Sequence, residues 1–143
     1  MEGLLRELLT ISEIQETANR VEQGGCPVAM TGLSSVHRSQ VAAALRLATG
    51  RPLAVVCADE KEARRQAADL TALTGEEVVL LLGRELELSP VAAASREWEH
   101  RRLEALYRMA GEEPPVVVAT IDGLMQRSMP RQVLLDLTLT LAP

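Results

Sequence analysis

The sequence predicts an α/β fold, a parallel β-sheet flanked by helices, on three observations. Four short runs, residues 27–31, 53–58, 78–82 and 116–120, are apolar with little polar alternation. Such runs suit strands covered on both faces, which parallel sheets are. Between them lie longer amphipathic stretches, so strand and helix alternate along the chain. The whole is 143 residues, the usual size of one domain.

The elements follow in order. Residues 4–9 and 13–22 read as two short helices, the second stopped by Gly24-Gly25. Pro27-Val28-Ala29-Met30-Thr31 reads as a short buried strand. Residues 35–49 form a helix with Val41, Ala44, Leu45 and Ala48 on one face, ended by Gly50. Leu53 to Ala58 reads as a strand buried on both sides, and Asp59 as the cap of a helix whose Ala63, Ala67 and Leu70 recur at helical spacing. Gly75 closes that helix, and Val78-Val79-Leu80-Leu81-Leu82 is the third strand. An irregular connection, 83–90, leads to a long helix over 92–110 with Leu103, Leu106, Tyr107 and Ala110 inward. Gly111 and Pro114-Pro115 punctuate before the fourth strand, 116–120. Short helices over 121–126 and 130–136 precede an apolar alternation, Leu137, Leu139 and Leu141. Crossovers in such a sheet are expected to be right-handed.

Composition narrows the function. Net charge is −5, which argues against a broad non-specific grip on nucleic acid. The core must come from Leu, Val and Ala, because there is no Phe, one Trp (Trp98) and one Tyr (Tyr107). Cys26 and Cys57 show no CxxC spacing, so neither a zinc site nor a disulfide framework is suggested, and both read as buried thiols. No signal peptide and no apolar run of membrane-spanning length is present; a cytoplasmic protein without membrane contact is the expectation.

Four constellations could carry chemistry. Gly32-Leu33-Ser34-Ser35-Val36-His37-Arg38-Ser39 follows the first predicted strand. It fits the phosphate-loop frame GxxxxGK[ST] at Gly32 and Ser39 only. His37 stands where backbone must approach phosphate, and forked Arg38 where a lysine belongs. This predicts a degenerate nucleotide loop with no cofactor. Asp59-Glu60 imitates the metal-holding end of a Walker B strand, but Asp59 is also the natural cap of the next helix. His37 and His100 are the only histidines, and His100 lies among charges on a solvated helix face. Arg96, Arg101, Arg102 and Arg108 interleave with Glu97, Glu99 and Glu104, as on an exposed, salt-bridged helix. With Trp98 as anchor, Arg96, Arg101 and Arg102 are the candidate interaction surface. No catalytic or metal residue is assigned.

Taken together, these segments resemble the N-terminal module of the bacterial transcription-repair coupling factors, which is similar in turn to the first domain of the excision-repair helicase subunit UvrB. The resemblance runs through Cys26-Pro27-Val28-Ala29-Met30-Thr31-Gly32-Leu33-Ser34 and Arg51-Pro52-Leu53-Ala54-Val55-Val56 with Asp59-Glu60. It continues in Gly83-Arg84-Glu85-Leu86, Ser95-Arg96-Glu97 and Arg102-Leu103-Glu104-Ala105-Leu106-Tyr107. It ends in Pro115-Val116-Val117-Val118-Ala119-Thr120 and Leu124-Met125-Gln126-Arg127. The connection after the third strand, often aromatic in members of that family, here reads Glu87-Leu88-Ser89-Pro90.

The resemblance implies a P-loop, helicase-like (RecA-like) topology whose nucleotide site is lost. It implies a UvrB-like domain over residues 1–136, with 137–143 beginning a following domain or strand. It implies a non-enzymatic scaffold, within a DNA-translocating ATPase, that supports UvrA recruitment and autoinhibition in nucleotide excision repair. UvrA would be met through an adjacent domain absent here, and RNA polymerase and DNA through downstream domains. The rival expectation is a small P-loop-like enzyme that binds and hydrolyses ATP, with Arg38 replacing the lysine and Asp59 holding Mg²⁺.

Overall fold

The computed structural model describes residues 2–83, 96–113 and 115–139. Two short helices open the chain, α1 (Glu2–Leu8) and α2 (Ser12–Glu22). α3 spans Ser35–Thr49; the extended Ser34 caps it by accepting the His37 amide at 3.4 Å, and Gly50 closes it at φ 61°. After β1 (Ala54–Cys57), α4 spans Glu60–Thr74. The Asp59 carboxylate accepts the Glu62 amide at 2.8 Å, and Gly75 ends the helix at φ 74°. Left-handed backbone of this kind is where glycine carries no steric penalty. β2 (Val79–Leu81), α5 (Glu97–Met109), β3 (Val117–Thr120), α6 (Ile121–Met125) and α7 (Arg131–Asp136) complete the described elements.

The sheet is parallel with order β1-β3-β2, so the last strand among the described residues lies in the middle. Val117 stands opposite Ala54 on one side and Val79 on the other. Successive strand residues face opposite sides, and this divides the core in two. Val55, Cys57, Val116, Val118 and Leu80 face α1, α3 and α4, packing with Leu5, Ala43, Ala63, Leu70 and Leu73. Val79, Leu81, Val117 and Ala119 face α5, packing with Ala105, Leu106 and Met109. A third cluster, Ile14, Val41 and Ala44 with Met30 and Leu33, joins α2 to the far side of α3.

Four expectations are corrected. Residues 27–31 form no strand; Val28 and Met30 are half-buried and their neighbours exposed, because Met30 packs on α2 and α3 rather than in a ladder. The strand after Arg51 is not buried on both sides: among the described residues β1 is an edge strand, and α5 covers β2 and β3 but leaves Ala54 and Val56 exposed. On α5, Leu103 and Tyr107 are 45% and 47% exposed, because the stripe on the sheet runs through Trp98, Arg102, Ala105 and Met109. Cys26 is exposed, and of the two thiols Cys57 alone is buried. The proposed start of the long helix at 92 and the connection 84–90 lie outside the described residues. Among the described residues, no helix is long and apolar enough to cross a membrane.

Candidate functional site

The loop before α3 is positioned by a side chain and a glycine. Gly32 adopts φ 77°, and a Cβ there would meet nothing within 4 Å. Glycine is therefore required by backbone conformation, not by close approach. Polar groups in the first turns of α3 turn onto α4. Ser39 is fully buried. Its hydroxyl lies 2.6 Å from Gln66 Oε1, with Asp69 Oδ2 at 3.2 Å and the Ser35 carbonyl at 3.4 Å as alternative acceptors for its one proton. Gln66 in turn donates Nε2 to the Ser35 carbonyl at 3.1 Å. Arg38 donates to Glu62 at 2.8 Å across the gap between α3 and α4. Exposed pairs like this contribute little to stability, but they fix where the guanidinium points. His37 is exposed and uses its backbone amide, not its ring, to close the cap.

The surrounding charge is acidic. Burial raises the Cys57 thiol above its ordinary value near 9, and the carboxylates of Glu62 and Asp59 add to this, against the opposing Arg38. Asp59, the Walker-like candidate, is engaged as the α4 cap. Among the described residues, no cluster of three or more His, Cys, Asp or Glu could hold a metal ion.

The second candidate region is α5. Arg96 is exposed just before the helix, and Arg101 ion-pairs with Glu97 one turn earlier. Trp98 is half-buried and donates its indole N–H to the Gly83 carbonyl at 3.1 Å. The Arg102 guanidinium lies 5.7 Å from the Trp98 ring centroid, within cation–π range. It donates to the carbonyls of Gly123 (3.0 Å) and Gln126 (3.2 Å) and to Ser128 Oγ (2.9 Å). Burial pushes its pKa down. So Trp98 and Arg102 are brought together, Arg101 is directed along its own helix, and Arg96 stands apart. A groove of about 640 Å³ beside them runs between α4, β2 and α5. Its other arginines also meet acids: Arg64 meets Glu60, and Arg108 meets Glu77.

Residues not singled out from sequence organise this corner. The Thr120 hydroxyl, at the end of the central strand, accepts the amides of both Gly83 (3.1 Å) and Gly123 (3.3 Å). A threonine directly before a short helix is a capping signal; its second partner lies 37 residues away and has no local signal. Gln66 and Glu62, which hold Ser39 and Arg38, likewise belong to another helix.

Parallel strands between helix layers, and a helix α3 whose Ser39 and Arg38 are engaged by the neighbouring α4, define an α/β domain with no assembled metal centre among its described residues. The chain is similar to the transcription-repair-coupling factor of Bacillus subtilis (strain 168), 30% identical over 122 residues. That match covers 85% of this chain and 10% of the relative, so the chain spans about a tenth of that relative's length. The resemblance to the coupling factors is thereby shown. No protein-family profile and no solved structure matches the chain.

Proposed function

We propose that the chain acts as a non-catalytic, UvrB-like domain of a transcription-repair coupling factor. It is a protein-interaction scaffold that supports UvrA recruitment and autoinhibition in transcription-coupled excision repair. Its sheet is a helicase-like one with a vestigial nucleotide loop. UvrA is engaged through an adjacent domain, RNA polymerase and DNA through downstream ones, all in the cytoplasm.

The observation that carries this reading is the state of Ser39 and Arg38. The serine that would face Mg²⁺ in a working loop is buried against Gln66, and Arg38 is paired with Glu62. Similarity to a protein named as a coupling factor supports the repair context.

Thermal unfolding of the chain with and without Mg²⁺-ATP tests it. A nucleotide present at about 100 times its dissociation constant would stabilise the fold by ~2.7 kcal/mol, a shift of several degrees for a chain of this size. The expected result is no shift at millimolar ATP. A Mg²⁺-dependent shift abolished by Arg38→Ala would overturn the reading and favour the ATP-hydrolysing alternative.

A further inference from the structure

α5 lies on the sheet with little apolar anchorage. Ala105 is buried there, with Leu106 and Met109 packed beside it, whereas α3 and α4 each bury four residues. The ion pair from Arg108 to the exposed Glu77, at 2.9 Å, adds little. Other polar contacts hold the helix as well, and they close into a ring. The Trp98 indole N–H donates to the Gly83 carbonyl at 3.1 Å. The Gly83 amide donates to Thr120 Oγ1 at 3.1 Å, and the Gly123 amide to the same oxygen at 3.3 Å. Arg102 donates to the Gly123 carbonyl at 3.0 Å and lies 5.7 Å from the Trp98 ring centroid. The ends of β2 and β3, α6 and α5 are thus joined in one circuit.

Two further ties extend it. Arg102 also reaches the Gln126 carbonyl (3.2 Å) and Ser128 Oγ (2.9 Å), beyond α6. Arg131 donates to the Ala110 carbonyl, at the end of α5, at 2.9 Å. α5 is therefore fastened at its middle and at its end to residues 123–131. Removing α5 alone would strip the Gly123 and Gln126 carbonyls of the guanidinium and the Gly83 carbonyl of the indole. Groups that share partners in this way open together. The larger core, with Ala63 and Leu70, lies on the opposite face of the sheet and shares no member with the ring.

We propose that Trp98 and Arg102 form a latch, and that α5 and α6, with the connection to Arg131, open from the sheet as one unit while the α1, α3 and α4 core stays folded. The opening bares the apolar face of Val79, Leu81, Val117 and Ala119. Regions with few buried apolar contacts open at the least cost, and α5 is such a region. The pair acts inward, as a fastener between elements.

Native-state hydrogen exchange, followed amide by amide in increasing sub-denaturing urea, tests this on the chain. The expected result is that the α5 amides exchange with those of Gly83 and Gly123, on one common urea dependence, before the α4 amides. A nonzero urea slope is required, because it measures the surface bared. Arg102→Met should speed the common exchange by roughly ten- to a hundredfold, the loss expected for hydrogen bonds from a charged group. The effect should reach Gly83, which is tied to Arg102 through Trp98 and Thr120 rather than directly. Trp98→Phe, which keeps a ring and removes the N–H donor, is the milder variant if Arg102→Met does not fold, and it should act on the same amides. Leu70→Val, in the opposite core, should speed the α4 amides and leave the α5 unit unchanged. The proposal is overturned by α5 amides that exchange only with α4 in global unfolding. It is also overturned by an Arg102→Met effect confined to Gly123, or by a Leu70→Val effect of equal size on both sides of the sheet.

Discussion

Gly123 is the position where a single methyl group should matter most. It lies in α6, and an added Cβ would sit 2.6 Å from the Leu81 carbonyl oxygen, 2.9 Å from the Leu82 carbonyl carbon and 3.0 Å from the Gly83 nitrogen. All three are backbone atoms at the end of β2, so no side chain can rotate away. The contact is also clamped, because Thr120 holds the Gly83 and Gly123 amides on one oxygen. Alanine would add roughly 1 kcal/mol of helix propensity. Against that, overpacking a buried contact costs about 1–3 kcal/mol, and prying Gly83 from Thr120 removes a buried hydrogen bond contributing about 1 kcal/mol. The balance for Gly123→Ala is a loss of roughly 2 kcal/mol. For a chain of this size that is a fall of about 6–8 °C in Tm. Urea unfolding followed by far-ultraviolet circular dichroism measures it. The control is Gly3→Ala in α1, where a Cβ meets nothing within 4 Å; it should be neutral or gain up to about 1 kcal/mol. Equal or greater stability for Gly123→Ala would refute the argument that the β2 end and α6 are in obligatory contact.

Other outcomes follow from particular residues. Asp59→Ala should cost about 1 kcal/mol through loss of the α4 cap, and Asp59→Asn little, because asparagine caps as well; if Mg²⁺ raised the unfolding midpoint of the unaltered chain but not of Asp59→Asn, Asp59 would be a metal ligand instead. Arg102→Lys should lower the urea midpoint by an amount equivalent to about 1–3 kcal/mol, since an ammonium cannot span the Gly123, Gln126 and Ser128 acceptors together; an unchanged midpoint would remove Arg102 from the structural account. A thiol reagent at pH 8 should titrate Cys26 in the folded chain and Cys57 only after denaturation, and rapid reaction of both would contradict the burial of Cys57. Because Cys57 has a raised folded pKa, the unfolded chain ionises it first: its contribution to stability is complete below about pH 9 and declines as pH rises beyond. Cys57→Ala should flatten that alkaline decline.

What the sequence made readable was the part written in local signals. The boundaries of α3 and α4 follow from Ser34 and Gly50, and from Asp59 and Gly75, each a cap or a left-handed glycine acting within a few residues. The strands Val79–Leu81 and Val117–Thr120 were legible because they are covered on both faces. Residues 27–31 carry the same apolar signature, but a ladder needs a neighbour, and an apolar run does not say whether it has one. The exposure of Val56 has the same origin: edge or centre is decided by pairing order, not by composition. On α5 two stripes compete, and the one carrying Arg102 turns inward because Ala105 and Met109 pack on the sheet while the guanidinium finds the Gly123 and Gln126 carbonyls at α6 rather than water. Before α3, the departure from the GxxxxGK[ST] frame was visible in His37 and Arg38. The engagement of Arg38 by Glu62 and of Ser39 by Gln66 was not, since those partners lie 24 and 27 residues along the chain from them.

The placement of Trp98 and Tyr107 has a consequence for anyone watching this chain unfold. Both ride on α5, and there is no other tryptophan or tyrosine and no phenylalanine. The larger core between the sheet and α1, α3 and α4 is built from aliphatic side chains and one thiol, all optically silent in the near ultraviolet. Intrinsic fluorescence is therefore a local reporter, sensitive to the departure of one helix from one face. A fluorescence transition that precedes the dichroism transition would record the undocking of α5 and would not by itself reveal a folding intermediate of the main core.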